Sequence, residues 1–186
     1  MTAALWLLAV QGIIGAFDTL YYHEWRARLP GGGSGTALEL KLHAARDFLY
    51  AVLFGTLPHL AWQGQWAIVL AAVLLTEILL TLTDFVIERR VRKPLGDVHG
   101  GERVTHAVMG IIYGAMLANL LPVLWRWWSL PTALAPIVQP SPEPLRWGLS
   151  VMAFGVFFSG VRDLYAAFGM PYGWWPWGAR GGQTRS

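Results

Sequence analysis

Apolar residues in this chain gather into five long runs instead of alternating with polar ones, and each run approaches the length of a bilayer-crossing helix. A hydrocarbon core of about 30 Å is crossed by roughly 20 helical residues. The runs predict spans over about residues 3–22, 43–62, 66–88, 103–126 and 147–168. The second is cleanly apolar only from Phe48, so extending it back to His43 draws His43, Arg46 and Asp47 into the apolar zone. The expected fold is an all-α integral membrane protein. It forms one domain over residues 1–186, a bundle of about five transmembrane helices without internal repeats.

The segments between the runs carry their own signals. Pro30-Gly31-Gly32-Gly33-Ser34-Gly35 reads as a flexible break. Residues 131–144 contain five prolines and predict an irregular connection, because proline withholds a backbone donor. Trp62, Trp66, Trp125, Trp127, Trp128 and Trp147 would mark one bilayer interface, and Trp25, Trp174, Trp175 and Trp177 the other. The first run has no Lys or Arg before it and no small-residue cleavage site after it, so it reads as a permanent span.

Composition agrees with this pattern: 55% of residues are hydrophobic and 13% charged, against about 25% charged in soluble domains. The sequence has no cysteine, which excludes disulfides, thiolate metal sites and a cysteine nucleophile. Any metal chemistry must then use His, Asp and Glu. Of the 14 Lys and Arg residues, all but Arg126 and Arg146 fall on one side of the spans, Arg180 and Arg185 of the tail included. Positive segments resist translocation, so the N-terminus is expected outside and the C-terminus in the cytoplasm of a multi-pass protein of the cell's inner (plasma) membrane. These juxtamembrane charges account for the pI of about 9.5, and nucleic acid is not an expected partner.

The acidic residues carry more information, since topology places no demand on them. Asp18, Glu24, Glu39, Asp47, Asp84, Glu88, Asp97, Glu102 and Asp163 lie toward the cytoplasmic end, with His23, His43, His99 and His106 among them. Glu77 falls near mid-membrane and Glu143 outside. Residues four apart share a helix face, which pairs His43 with Asp47, Asp84 with Glu88, and Glu102 with His106. His23 and Glu24 add a neighbouring pair. The metal ligands expected are therefore His23, Glu24, His43, Asp47, Asp84, Glu88, Glu102 and His106. Imidazole with carboxylate suits a divalent transition metal, iron first, then zinc or manganese. The set is comparable in chemistry with carboxylate–histidine di-metal bundles, although their Glu-x-x-His pairs are missing.

Arg46, Arg103 and Arg162 are expected to orient ligands or hold an anionic headgroup, and Glu77 to relay protons. The ordinary alternatives are a helix cap at Glu39, a Glu24–Arg28 pair, a solvated Asp97 and His99, and salt bridges such as Asp47–Arg89 or Asp163–Arg103. The Arg89–Lys93 run reads as a topology anchor for anionic lipid. The function expected is a membrane-embedded metal-dependent enzyme, of oxidase, hydroxylase or desaturase type, acting on a lipophilic small-molecule substrate at the cytoplasmic leaflet. Membrane lipids are the expected surroundings, with a homo-oligomer or larger membrane complex compatible. The alternative is a small transporter or accessory subunit whose polar cluster is a structural salt-bridge network.

Overall fold

The computed structural model describes residues 1–138 and 140–178; Gln139, Arg180 and Arg185 lie outside the described residues. Five α-helices build the bundle among them: α1 (Thr2–Phe17), α2 (Ala37–Thr56), α3 (Gln65–Arg92), α4 (Gly100–Trp128) and α5 (Glu143–Ala167). Four helical segments are long and apolar enough to cross a membrane: Thr2–Arg26, Gln65–Leu95, Gly100–Trp128 and Glu143–Ala167. The helix in the expected second span, α2, is the exception. It begins at Ala37 and ends at Thr56, earlier at both ends than the 43–62 read from hydropathy. Its first half carries Glu39, Lys41, His43, Arg46 and Asp47, which lowers its hydropathy.

The last residues of that expected span instead form β1 (Leu60–Gln63), which pairs antiparallel with β2 (Ala133–Pro136). The proline-rich connection is thus partly ordered. Its proline stays compatible with pairing because Pro136 stands at the end of the register, opposite Leu60. Gly64 joins β1 to α3 at φ 59°, and a Cβ there would lie 2.4 Å from Thr132 Oγ1, so only glycine fits. The Gly-rich segment also departs from expectation: Leu29–Gly35 coils into 3₁₀ turns with Leu29, Pro30 and Gly31 buried.

Helix α1 packs chiefly on α4, α2 chiefly on α5, and α3 on both α2 and α4. An apolar core that includes Leu8, Leu53, Leu70, Met116, Leu120 and Leu149 fills one end of the bundle. Buried ionisable side chains fill the other. Large apolar side chains such as Ile13, Leu75, Val86, Ile111 and Phe154 point outward along the helices.

The α2–α5 contact is close because Gly160 carries no side chain. A Cβ there would meet Asp47 Cβ at 3.0 Å and the Ala44 carbonyl oxygen at 3.2 Å. Gly160→Leu should therefore destabilise by about 1–3 kcal/mol through overpacking, read as a lower melting temperature in detergent. Gly155→Ala, on the same helix with nothing within 4 Å of the added carbon, should melt at or above the wild-type temperature.

Candidate metal centre and its cavities

Below Phe17 the first helix does not continue as α but widens into a π-helical segment, Asp18–Arg26. In a π-helix the bond runs from i to i+5, so residues five apart share a face. Asp18 and His23 are five apart, and both side chains turn into the bundle. Asp18 Oδ2 lies 3.3 Å from His23 Nε2 and 3.1 Å from His106 Nε2 of α4. His106 Nδ1 is 3.7 Å from Glu88 of α3. His23 Nε2 also approaches Glu102 Oε1 of α4 at 3.2 Å.

From Glu102 the polar chain continues through Arg92, the last residue of α3. Its Nη2 donates to Glu102 at 3.1 Å and its Nε to Glu39 of α2 at 2.7 Å. His43 Nε2 stands 3.9 Å from Glu39 and 3.3 Å from Asp84 of α3, while its Nδ1 is 3.9 Å from Asp163 of α5. The His23 and His43 rings stack at 4.5 Å. Arg46 Nη1 donates to Asp84 at 3.1 Å, and Arg46 Nε stands 3.7 Å from Glu77. Glu77 in turn accepts from Tyr50 Oη at 3.1 Å and Thr81 Oγ1 at 2.8 Å. All five helices contribute to one connected network.

Its charges do not balance. Asp18, Glu39, Glu77, Asp84, Glu88, Glu102 and Asp163 are each exposed by 6% or less. Against these seven carboxylates stand the guanidinium groups of Arg46 and Arg92 and the imidazoles of His23, His43 and His106. Arg162 comes within 3.9 Å of Asp163, but both its terminal nitrogens are bound by Glu24. With all seven carboxylates ionised the cluster remains anionic even when every imidazole is protonated. Burial makes such an excess costly unless protons or cations enter it.

Among the described residues, two groups could hold a metal ion: Asp18, His23 and His106; and Glu88, Glu102 and His106. Within each, one donor atom per residue lies within 4.8 Å of the others. The same residues make the ion pairs above. Ligand atoms about 2.1 Å from an ion sit roughly 3.0–3.4 Å apart, and the 3.1 Å and 3.3 Å contacts at Asp18 Oδ2 match that spacing. Asp18 Oδ1 is buried without a hydrogen-bond partner, which leaves an acceptor for a cation.

The expected ligands His23, Glu88, Glu102 and His106 meet in these two groups, and His43 with Asp84 sits directly beside them. Three expectations need correction. Glu24 is drawn away by Arg162, which binds it with both terminal nitrogens, and by Trp177 Nε1 at 3.0 Å, so it stands outside both groups and pairs with Arg162 instead of Arg28. Asp47 faces Ser159 and lies outside both ligand groups. Arg103 is more than half exposed, 3.3 Å from Asp97 on the surface, because its side chain leaves α4 on the face away from the cluster. There the Val98 backbone N–H, donating at 2.7 Å, and Arg103 hold the Asp97 carboxyl below its ordinary value.

Four charged participants were not singled out from sequence: Asp18, Glu39, Arg92 and Asp163, the last 3.9 Å from His43. Asp18 was missed because α-helical spacing does not align it with His23. Glu39, read as a cap, is fully buried, although its i,i+4 relation to His43 was a signal. Arg92, read as part of a topology anchor, is 2% exposed and joins Glu39 to Glu102.

Among the described residues, the two larger cavities that reach the network are mainly apolar. The first, about 320 Å³, runs between α1, α2 and α5 along Gly12, Gly15, Phe54, Met152 and Val156, and ends at Asp18, His23 and His43. The second, about 270 Å³, lies between α3 and α4 along Ile78, Leu82, Phe85 and Met109, and ends at Asp18, Glu77 and His106. Fold and site together define a helical bundle with a buried, anion-rich His/carboxylate centre reached through apolar cavities. Compared with protein-family models, curated proteins and solved structures, the chain matches none.

Arg92 and Arg103 stand eleven residues apart in very different surroundings. Arg92→Ala should cost about 3–5 kcal/mol, since it strands two buried carboxylates. Arg103→Ala should leave the thermal melt in detergent unchanged, since solvent screens its pair with Asp97.

Proposed function

We propose that the chain is a multi-pass membrane protein whose five helices all cross the bilayer, with the N-terminus outside and the polar end at the cytoplasmic leaflet, and that it is a metal-dependent enzyme acting on a lipophilic substrate. The observation that carries this reading is the first cavity: apolar along its length, it ends on the same Asp18, His23 and His43 that belong to the anionic centre. A lipophilic molecule held there would present one of its atoms to the site of chemistry. The outward apolar side chains suit contact with lipid, and of the polar side chains of α2 Glu39 and His43 are buried and Arg46 and Asp47 partly so, with Lys41 exposed, which offsets its low hydropathy.

A purely structural salt-bridge network explains Arg92 between Glu39 and Glu102. It gives no reason for the excess of carboxylates or for three histidines beside them. A divalent cation answers both, because it supplies the missing positive charge and takes imidazole and carboxylate together. Asp18, His23, Glu88, Glu102 and His106 would hold it, with His43, Asp84 and Glu39 bracing the neighbouring side. Iron is the metal favoured by this donor set, and manganese and zinc are the alternatives. Iron or manganese would supply oxygen-dependent hydroxylation, desaturation or oxidation, and zinc an activated water for hydrolysis. Arg46 would position Asp84, and Glu77 would relay protons toward it.

Elemental analysis of detergent-purified protein tests the metal. About one or two equivalents of a transition metal are expected, lost on dialysis against a chelator and largely absent from His23→Ala and His106→Ala. His99→Ala, whose ring caps α4 and stacks on Tyr22 outside both ligand groups, should retain it. Protein that holds no metal, melts normally and tolerates both histidine changes would overturn the enzyme reading in favour of a structural network.

Orientation is tested separately with reporter fusions. Fusions at Gly33 and Gly96 should report cytoplasm and one at Gln139 the outside. A periplasmic signal at Gly96 would reverse the topology.

A further inference from the structure

Asp47 of α2 belongs to neither ligand group. Among the described residues every other carboxylate of the polar end makes at least one ion pair, and Asp47 makes none. It stands where Gly160 of α5 approaches α2, and its carboxyl faces Ser159. Both residues are partly exposed, and both line the first cavity, whereas neither lines the second. The apolar passage along Gly12, Phe54, Met152 and Val156 therefore leads to a carboxylate without a counter-ion and a hydroxyl next to it.

The surrounding charge decides which ligand suits it. Ionised, the seven carboxylates of the network outnumber its two guanidinium groups and three protonated imidazoles by two, and Asp47 stands outside that count. A divalent ion in the ligand groups would offset those two charges and leave Asp47 unmatched. The cationic side chains that share the cavity are already flanked by carboxylates: His23 by Asp18 and Glu102, His43 by Glu39, Asp84 and Asp163, and Arg46 by Asp84 and Glu77. We infer that Asp47 binds the protonated amine of an otherwise apolar molecule held in the first cavity, with Ser159 Oγ as a further acceptor. An ammonium N–H donates to a carboxylate in a charge-assisted bond, the stronger kind, and in an apolar surround opposite charges attract more than in water. A fatty acid would instead set a second carboxylate against Asp47, and an alcohol would leave the Asp47 charge uncompensated. The cavity, about 320 Å³, lies at the lower end of the roughly 300–1,000 Å³ of ligand pockets and suits one short alkyl chain.

The inference rests on the proposed function for a lipophilic molecule in the cavity and names that molecule's polar end; contact with Asp47 needs no metal. The test uses photoreactive dodecylamine on protein purified in a neutral detergent, with and without chelator. Unlabelled dodecylamine, dodecanol and dodecanoic acid serve as competitors. The probe should crosslink to α1, α2 or α5 and be displaced at least about tenfold better by dodecylamine than by the other two. Asp47→Asn, which keeps the side-chain shape and removes the charge, should abolish that preference with metal content unchanged, and Asp47→Glu should keep part of it. Should Asp47→Asn fail to fold, the competitor series and the crosslink position on wild-type protein decide. Equal displacement by the alcohol or the acid, crosslinking confined to α3, or an amine preference that survives in folded Asp47→Asn protein overturns the site. An amine preference that depends on Asp47, in protein that never holds metal, upholds this site and removes the enzyme reading. Metal-loaded protein without the preference does the reverse.

Discussion

Seven carboxylates buried where five helices converge set the terms for the rest of the molecule. In water each would be solvated independently; inside a bundle each must find a positive partner or a proton. Arg92 meets part of that need by donating to Glu39 and Glu102 at once, which ties the start of α2 and of α4 to the end of α3. Arg46 does the same between Asp84 and Glu77 at a deeper level. What the two guanidinium groups leave unneutralised is concentrated around His23 and His106. That is also where the buried groups that could hold a metal ion lie, and the same side chains form ion pairs.

The arrangement depends on departures from regular helix. The π-helical segment at Asp18–Arg26 rotates His23 onto the face that Asp18 occupies, so one element delivers both an imidazole and a carboxylate to the same point. Widened turns of this kind recur at functional sites. Gly160 lets α5 approach α2 closely enough for Asp163 to reach His43. The opposite end is closed by apolar packing and by the β1–β2 pair. The cavities open between helices that pack less extensively, α1 with α5 and α3 with α4.

The cavities place the chemistry in an apolar surround. Gly12, Gly15, Met109 and Met152 line them with small or adaptable side chains, which leaves space without fixing a rigid shape. The same low dielectric that makes unpaired charges costly strengthens the ion pairs made there. The two cavities and the buried charges converge on the few residues around Asp18, Arg46 and Tyr50.

Hydropathy was enough to locate the helices, because burying or exposing twenty apolar residues dominates every local preference. Its boundaries failed at α2, which begins at Ala37 instead of residue 43 and so takes Glu39 into the bundle. The i,i+4 stripes were legible too, and they brought His43, Asp84, Glu88, Glu102 and His106 to one neighbourhood. Sequence alone thus determined the helical class, the segregation of charge and the type of donor atoms, since these follow from composition and period. Tertiary structure alone decided which charges meet. Asp18 joins His23 only through the π-helical register, Arg92 becomes the central cation through the angle at which α3 ends, and Glu24, Asp47 and Arg103 are diverted to Arg162, Ser159 and Asp97. Helical periodicity gives the face of a residue, but a partner is chosen by distances of about 3 Å that depend on how helices cross and where a turn widens.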